Sequence, residues 1–415
     1  MIVTLTLLAL LSQPVDGGAA LPSPAPGPNE LGAAPHDAAA PPTATSAEPR
    51  PKKPSATVEA EWGEGVTMKA GDFSLQLRGR VQARAEAIVP TPESTTNRIN
   101  QLLIRRARLS LVARYTEDWT MLVQLAFATL DMEPDAPNVL RDAHLTWSRL
   151  RDLNLRVGQT KVPFGRQRVI SSGAQQMVDR SIVVAELNLD RDVGILLRSD
   201  DLFGLGGRLA YTLGVMGGDG RNRLGTNVGL LYVARVQVNP FGRFDDLVAG
   251  DLERLERPRL SIGLAAARNV ATVRPRSTIG TTYRNGSLTY DHLAADLLFK
   301  WRGFSLEAET LLRHAEQPNL VGATTTEWAR AGWGYYLQAG YSPLDAFEVS
   351  ARWGQLTPFA GTDPSFKEQR ELGVGFGWYP KQHNLKLQGD LFWLPVGPRF
   401  DVGAWQVRAQ LQLAF

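Results

Sequence analysis

The chain has 415 residues, 43% hydrophobic and 21% charged, with a net charge of +3 and no cysteine. This is enough apolar material for a large folded unit, and the absence of thiols excludes disulfide frameworks, thiolate metal sites and cysteine nucleophiles. The charge is too small to argue for nucleic acid, and beyond the N-terminus no run of about 18 apolar residues could form a membrane-spanning helix. A membrane β-barrel stays open, because its hydropathy signal is far weaker.

The first element is Ile2 to Leu11, almost continuously apolar, followed by small residues at Gly17, Gly18, Ala19 and Ala20. This predicts an export signal over 1–20, although no Lys or Arg precedes the apolar run. Pro22 to Thr57 then carries ten Pro among 36 residues and no aromatic residue. Such a composition cannot offset chain entropy by burial, which predicts a disordered Pro/Ala-rich periplasmic linker over 21–65. The folded unit is predicted over 66–415.

From Phe73 onward the dominant period is two. Phe73, Leu75, Leu77, Val81, Ala83 and Ala85 alternate with Ser74, Gln76, Arg78, Gln82, Arg84 and Glu86. A strand sends alternate side chains to opposite faces, so one face is apolar and the other polar. The last segment is the cleanest, with Trp405, Val407, Ala409, Leu411, Leu413 and Phe415 against Gln406, Arg408, Gln410 and Gln412. About sixteen such segments are predicted, at 73–88, 101–116, 119–130, 139–148, 153–162, 191–199, 207–217, 228–239, 259–268, 290–302, 304–314, 333–342, 347–357, 369–379, 385–394 and 404–415. Several suit a membrane-crossing strand of about 9–11 residues better than an ordinary globular one. Short links alternate with long ones, and the short-side link 240–258 breaks the rule, suggesting a small helix or an excursion into the periplasm. Trp119, Trp147, Trp301, Trp333, Trp353, Trp378, Trp393 and Trp405 fall near strand ends on the apolar face, as interfacial girdles require. The prediction is an all-β, transmembrane antiparallel barrel in the bacterial outer membrane, its apolar face toward lipid.

The polar face then lines an aqueous lumen. Arginine dominates it, with 37 Arg in the chain against 8 Lys. Arg78, Arg80, Arg84, Arg106, Arg108, Arg114, Arg156 and Arg235, with Arg198 and Arg208, are the candidate pore-lining anion contacts. A permanently charged guanidinium attracts anions and offers paired donors to phosphate or carboxylate. Opposing acids on the same face are Glu86, Asp142, Asp296, Glu307, Glu309, Glu348, Glu371 and Asp390. Segment 163–190 is the longest link and is expected to fold inward as a constriction loop, with Lys161, Arg166, Gln167, Arg168 and Arg180 as its candidate contacts. Asp131, Glu133 and Asp135 have no spacing that argues for a metal.

Four local patterns resemble the family of phosphate-selective porins O and P. They are Arg105-Arg106-Ala107-Arg108-Leu109, Arg156-Val157-Gly158-Gln159-Thr160-Lys161-Val162-Pro163-Phe164-Gly165, Asp179-Arg180-Ser181 and Arg191-Asp192-Val193-Gly194. The resemblance spans roughly 66–415. It implies a sixteen-stranded outer-membrane barrel, a homotrimer, and conduction of small anions, in some members phosphate or pyrophosphate. It carries Arg106, Arg108, Lys161 and Arg166 over as anion contacts. Terminal Phe415 is similar to the aromatic that bacterial barrels present to the assembly machinery. The expected function is a passive porin for small anions, with no cofactor, metal or catalytic residue. The alternatives are a general, weakly selective porin, or a structural anchor acting through the tether. An enzyme would need a nucleophile beside a histidine, and the five His are scattered.

Overall fold

The computed structural model describes residues 56–133, 137–223 and 229–415. The predicted signal at 1–20 and the linker up to residue 55 lie outside the described residues. Sixteen strands follow one another around a closed antiparallel barrel. They are β1 Phe73–Pro90, β2 Ile99–Tyr115, β3 Trp119–Ala126, β4 Leu140–Leu150, β5 Leu153–Lys161, β6 Arg191–Ser199, β7 Leu209–Met216 and β8 Leu231–Val238. The second half continues with β9 Arg259–Thr272, β10 Leu288–Trp301, β11 Phe304–Ala315, β12 Gly332–Leu344, β13 Phe347–Pro358, β14 Gln369–His383, β15 Leu385–Pro395 and β16 Gly403–Ala414. Each predicted segment overlaps one of these strands.

The seam is β16 on β1, in register from Ala404 opposite Pro90 to Ala414 opposite Arg80. Phe415 extends it by exchanging backbone hydrogen bonds with Gly79 at 2.8 and 3.0 Å. A Cβ on Gly79 would stand 2.3 Å from the Phe415 ring, so a larger residue there would displace the ring. Closure leaves no open edge along the wall, the condition for a sheet to cross lipid.

The barrel is apolar outside and polar inside. Val374 is 57% exposed and Leu411 51%, whereas Glu371 and Gln410 are 2% and 1% exposed. A soluble sandwich would show the reverse. The tryptophans and their aromatic neighbours stand outward near the strand ends, with Trp393 and Trp405 5.1 Å apart.

Order begins earlier than the predicted boundary at 66. Thr57–Glu61 and Gly65–Ala70 form a hairpin whose second strand pairs with Phe73 to Leu77 of β1. Those β1 residues extend past the end of β16, and their backbone groups need partners. Residues 57–65 of the expected linker therefore belong to the folded unit.

Candidate functional site

Between β5 and β6 the chain leaves the wall and enters the lumen. This inserted loop contains two short helices, α1 Arg166–Val169 and α2 Ile182–Leu187. Ser181 caps α2, its hydroxyl accepting from the Val184 amide at 3.1 Å. Val162, Phe164, Val183, Val184, Leu187 and Leu189 are fully buried, and they pack against inward-facing Leu196, Met216, Leu231, Val233, Leu311, Tyr336 and Leu356. One side of the lumen is thus a hydrophobic core. This is why inward positions on β6–β9, where alternation alone predicts polar residues, are largely apolar or small.

Polar contacts complete the anchorage. The loop amides of Gln167, Val178 and Ile182 donate to Glu309, Asp390 and Glu371 at 3.1, 3.1 and 3.2 Å. Gln176 donates to Glu348 at 2.6 Å, and Arg166 to Asp296 at 2.7 Å. Five of the eight opposing acids are thus turned onto the loop, while Glu86 accepts from Gln101 and Gln406, Glu307 from Tyr336 and Asp142 from Arg191.

The link after β8 is neither a helix nor an excursion away from the barrel. Residues 239–258 fold back inside, with Ala249 and Asp251 buried. Asp246 accepts from Arg166 at 3.2 Å and Gln237 at 2.7 Å, and the Ala249 amide donates to the Ala174 carbonyl of the inserted loop at 3.1 Å.

Opposite the hydrophobic core, the first strands present arginines to the loop. Arg80 donates to Ser171 and Ser172 at 3.1 and 2.9 Å. Arg84 and Arg106 both reach Asp179, at 2.9 and 3.2 Å. Arg108 reaches Asp131 at 2.7 Å and Ser172 at 3.0 Å. Two β-bulges add to the group. Gln82 pairs with Arg106 and Ala83 with Ile104, leaving Arg105 as the extra residue, 3.4 Å from Asp179. Gln124 pairs with Asp142 and Leu125 with Leu140, leaving Arg141 extra, 3.0 Å from Asp131. A bulge re-aims one side chain, so consecutive residues face the same side.

The loop contributes its own cations. Arg180 donates to the carbonyls of Gln167 and Ile170 at 2.8 Å each, and Lys161 donates to that of Val169. Arg168 pairs with Asp190, and Arg191 bidentately with Asp142 at 2.9 and 3.0 Å. Arg168 lies within electrostatic reach of Arg180, Arg191, Arg141 and Arg108. Burial first, then these neighbours, lower the Arg168 guanidinium; burial lowers that of Arg180 to about 10 against the pull of Asp179, which leaves Arg180 charged at neutral pH. Among the described residues, ten cations (Arg80, Arg84, Arg105, Arg106, Arg108, Arg141, Lys161, Arg168, Arg180 and Arg191) gather here around four carboxylates, those of Asp131, Asp142, Asp179 and Asp190.

The remaining predicted contacts lie elsewhere. Arg78 pairs with Glu64, and Arg114 stands 3.5 Å from Gln76 toward the turn-side end of β2. Arg156 donates to Thr146 at 3.1 Å, further along β4 and β5 toward the turn side. Arg198 pairs with Asp200, and Arg208 donates to the Leu205 carbonyl, both at the turn side. Arg235 and Arg166 share Asp296, with Arg235 at 2.6 Å, and act as loop anchors. Gln167 is fully buried, its side-chain Oε1 accepting from the Ser181 amide at 2.8 Å. Arg105, Arg141 and Arg191 were missed as contacts. The available signal was the doublets Arg105-Arg106, Arg141-Asp142 and Arg191-Asp192, which interrupt the period of two. Among the described residues no three His, Asp or Glu side chains are grouped to hold a metal.

The sequence pattern of the family described as phosphate-selective porin O and P matches residues 75–393, from β1 to near the end of β15. The chain belongs to that family. A protein of Aquifex aeolicus (strain VF5) is 24% identical over 269 residues, covering 59% of this chain and 60% of the relative's own length. Among solved structures, the anion-selective porin from Comamonas acidovorans has a TM-score of 0.54 at 14% identity, covering 83% of this chain and all of that one. The outer-membrane channel DcaP of Acinetobacter baumannii scores 0.53 at 14% identity, covering 84% and 99%. Salmonella typhi OmpF in complex with daunomycin also scores 0.53 at 14% identity, covering 83% and 98%. These likenesses are of fold. Family and fold make the protein a porin-type outer-membrane barrel with the β5–β6 loop packed inside it.

Proposed function

We propose that this porin is a passive diffusion channel for small anions, which pass the inserted loop along the arginine group. The observation that carries the reading is the imbalance at the loop, ten cations against four carboxylates among the described residues. Cations gathered in a narrow, poorly screened passage focus the field, raise local anion concentration and exclude cations. The acids that could cancel this field, Glu309, Glu348, Glu371 and Asp390, are turned onto the loop. Guanidiniums also offer paired donors matched to phosphate and carboxylate oxygens, so oxyanions are the favoured class.

The working contacts are Arg80, Arg84, Arg106 and Arg108, as the sequence suggested, joined by Arg105, Arg141 and Arg191. Lys161, Arg168 and Arg180 supply the loop side. Arg166, Gln167 and Arg235 hold the loop in place. Homotrimeric assembly and recognition of Phe415 by the barrel-assembly machinery follow from the family resemblance and belong to the same proposal. The test is ion substitution on the purified full chain in a planar bilayer. Replacing chloride by gluconate should remove most of the current, and replacing potassium by a bulky organic cation should change it little. The opposite pattern would refute the reading.

A further inference from the structure

Asp179 lies at the far end of the inserted loop and touches the arginine group directly. Its Oδ2 accepts from Arg84 at 2.9 Å and lies 3.4 Å from the Arg105 Nε; its Oδ1 accepts from Arg106 at 3.2 Å and from the Arg180 amide at 3.1 Å. Three guanidiniums and an amide around one carboxylate form the coordination shell of a bound oxyanion. Asp131 makes a similar pairing with Arg108 and Arg141, but its side chain is 4% exposed and sealed from the lumen. Asp179 and Arg105 are each 20% exposed, so this edge of the shell faces the passage, with Arg84 and Arg106 behind it at 4%.

We propose that Asp179 is a specificity-determining residue of the anion path: its carboxylate occupies the seat that Arg84, Arg105 and Arg106 would otherwise offer to a passing oxyanion. The inference rests on the anion-channel reading and deepens it. A pore must bind its ion well enough to admit it and weakly enough to let it go. Three desolvated guanidiniums with no internal counter-charge would hold a phosphate-like anion too long. With Asp179 in place, the incoming anion shares donors rather than capturing them. Arg105 makes one further contact, to the Leu130 carbonyl at 3.2 Å, and its partly exposed guanidinium keeps donors for that sharing.

The experiment is inorganic phosphate block of chloride current through the full chain in planar bilayers. It compares the wild type with Asp179→Asn, Asp179→Ser and Asp179→Glu, and measures zero-current potential on each. Both neutral variants should stay anion-selective while their half-blocking phosphate concentration falls about tenfold or more, the scale of a charged hydrogen-bond partner set free. Asp179→Glu should stay within about twofold of the wild type, since charge and donors are kept. An unchanged or raised half-blocking concentration in anion-selective neutral variants would overturn the role of Asp179 and leave the anion reading standing. A cation-selective wild type would overturn both. If neither neutral variant forms channels while Asp179→Glu does, the carboxylate is a folding brace and the proposal fails.

Discussion

Arg166 of α1 and Asp296 of β10 meet at 2.7 Å inside the barrel, and Arg235 of β8 reaches the same carboxylate at 2.6 Å. The Asp296 side chain has no exposed surface, so two guanidiniums and one carboxylate are matched away from water. This fastens the start of the inserted loop to the wall across from the arginine group.

Asp296→Asn should therefore release the loop. It leaves the buried Arg235 guanidinium without a counter-charge and Arg166 with Asp246 alone, a loss of about 3–5 kcal/mol for a buried pair deprived of one partner. The expected outcome is lowered unfolding resistance in detergent, with larger and noisier single-channel conductance. Wild-type conductance and stability in this variant would contradict the anchor.

Arg106→Gln with Arg108→Gln should reduce anion preference in reversal-potential measurements. The reduction should be larger at low salt, where screening is weak. Arg114→Gln should leave selectivity unchanged, because Arg114 stands at the turn-side end of β2 beside Gln76. Equal effects in both variants would show that charge anywhere on the inner wall, rather than at the loop, sets selectivity.

Deleting 166–178 should enlarge single-channel conductance and weaken selectivity, because this segment crosses from the Asp296 wall to the Arg80 wall. Replacing 244–252 by a short flexible turn should act in the same direction and more weakly. That segment braces the loop through Asp246 and the Ala249 amide. Single-channel recording checks both variants, and unchanged conductance in either one removes its segment from the constriction.

The strands were legible because lipid outside and water inside impose a period of two along every membrane-crossing segment. The end of the hydrophobic run at Phe415 was legible for the same reason. The inner face of β6–β9 was not, since Leu196, Met216 and Val233 pack against Phe164 and Val183 of the inserted loop, contacts that alternation along a single strand does not encode. The bulges at Arg105 and Arg141 were hidden because alternation assigns both residues to the lipid face. The two roles of inward arginine were also hidden. Arg84 and Arg235 have the same pattern in sequence, and only the position of Asp296 makes one of them an anchor.

Anion selectivity should be flat from neutral pH down to about pH 4. Burial alone would raise the Asp131 and Asp179 carboxyls. Their arginine neighbours outweigh it and hold both below the ordinary 3.8. A carboxylate depressed in the folded state contributes stability that is complete above its unfolded value and lost as pH falls through its folded one. The Asp131 and Asp179 contacts should therefore fail only in strong acid. A selectivity transition centred between about pH 5 and 7 would contradict this assignment.

The most direct measurement is the zero-current potential of the full chain in a planar bilayer under a potassium chloride gradient. An anion-selective sign that strengthens as salt is lowered is the predicted result. A cation-selective or near-zero potential would contradict the account, because the carboxylates would then outweigh the arginines at the inserted loop.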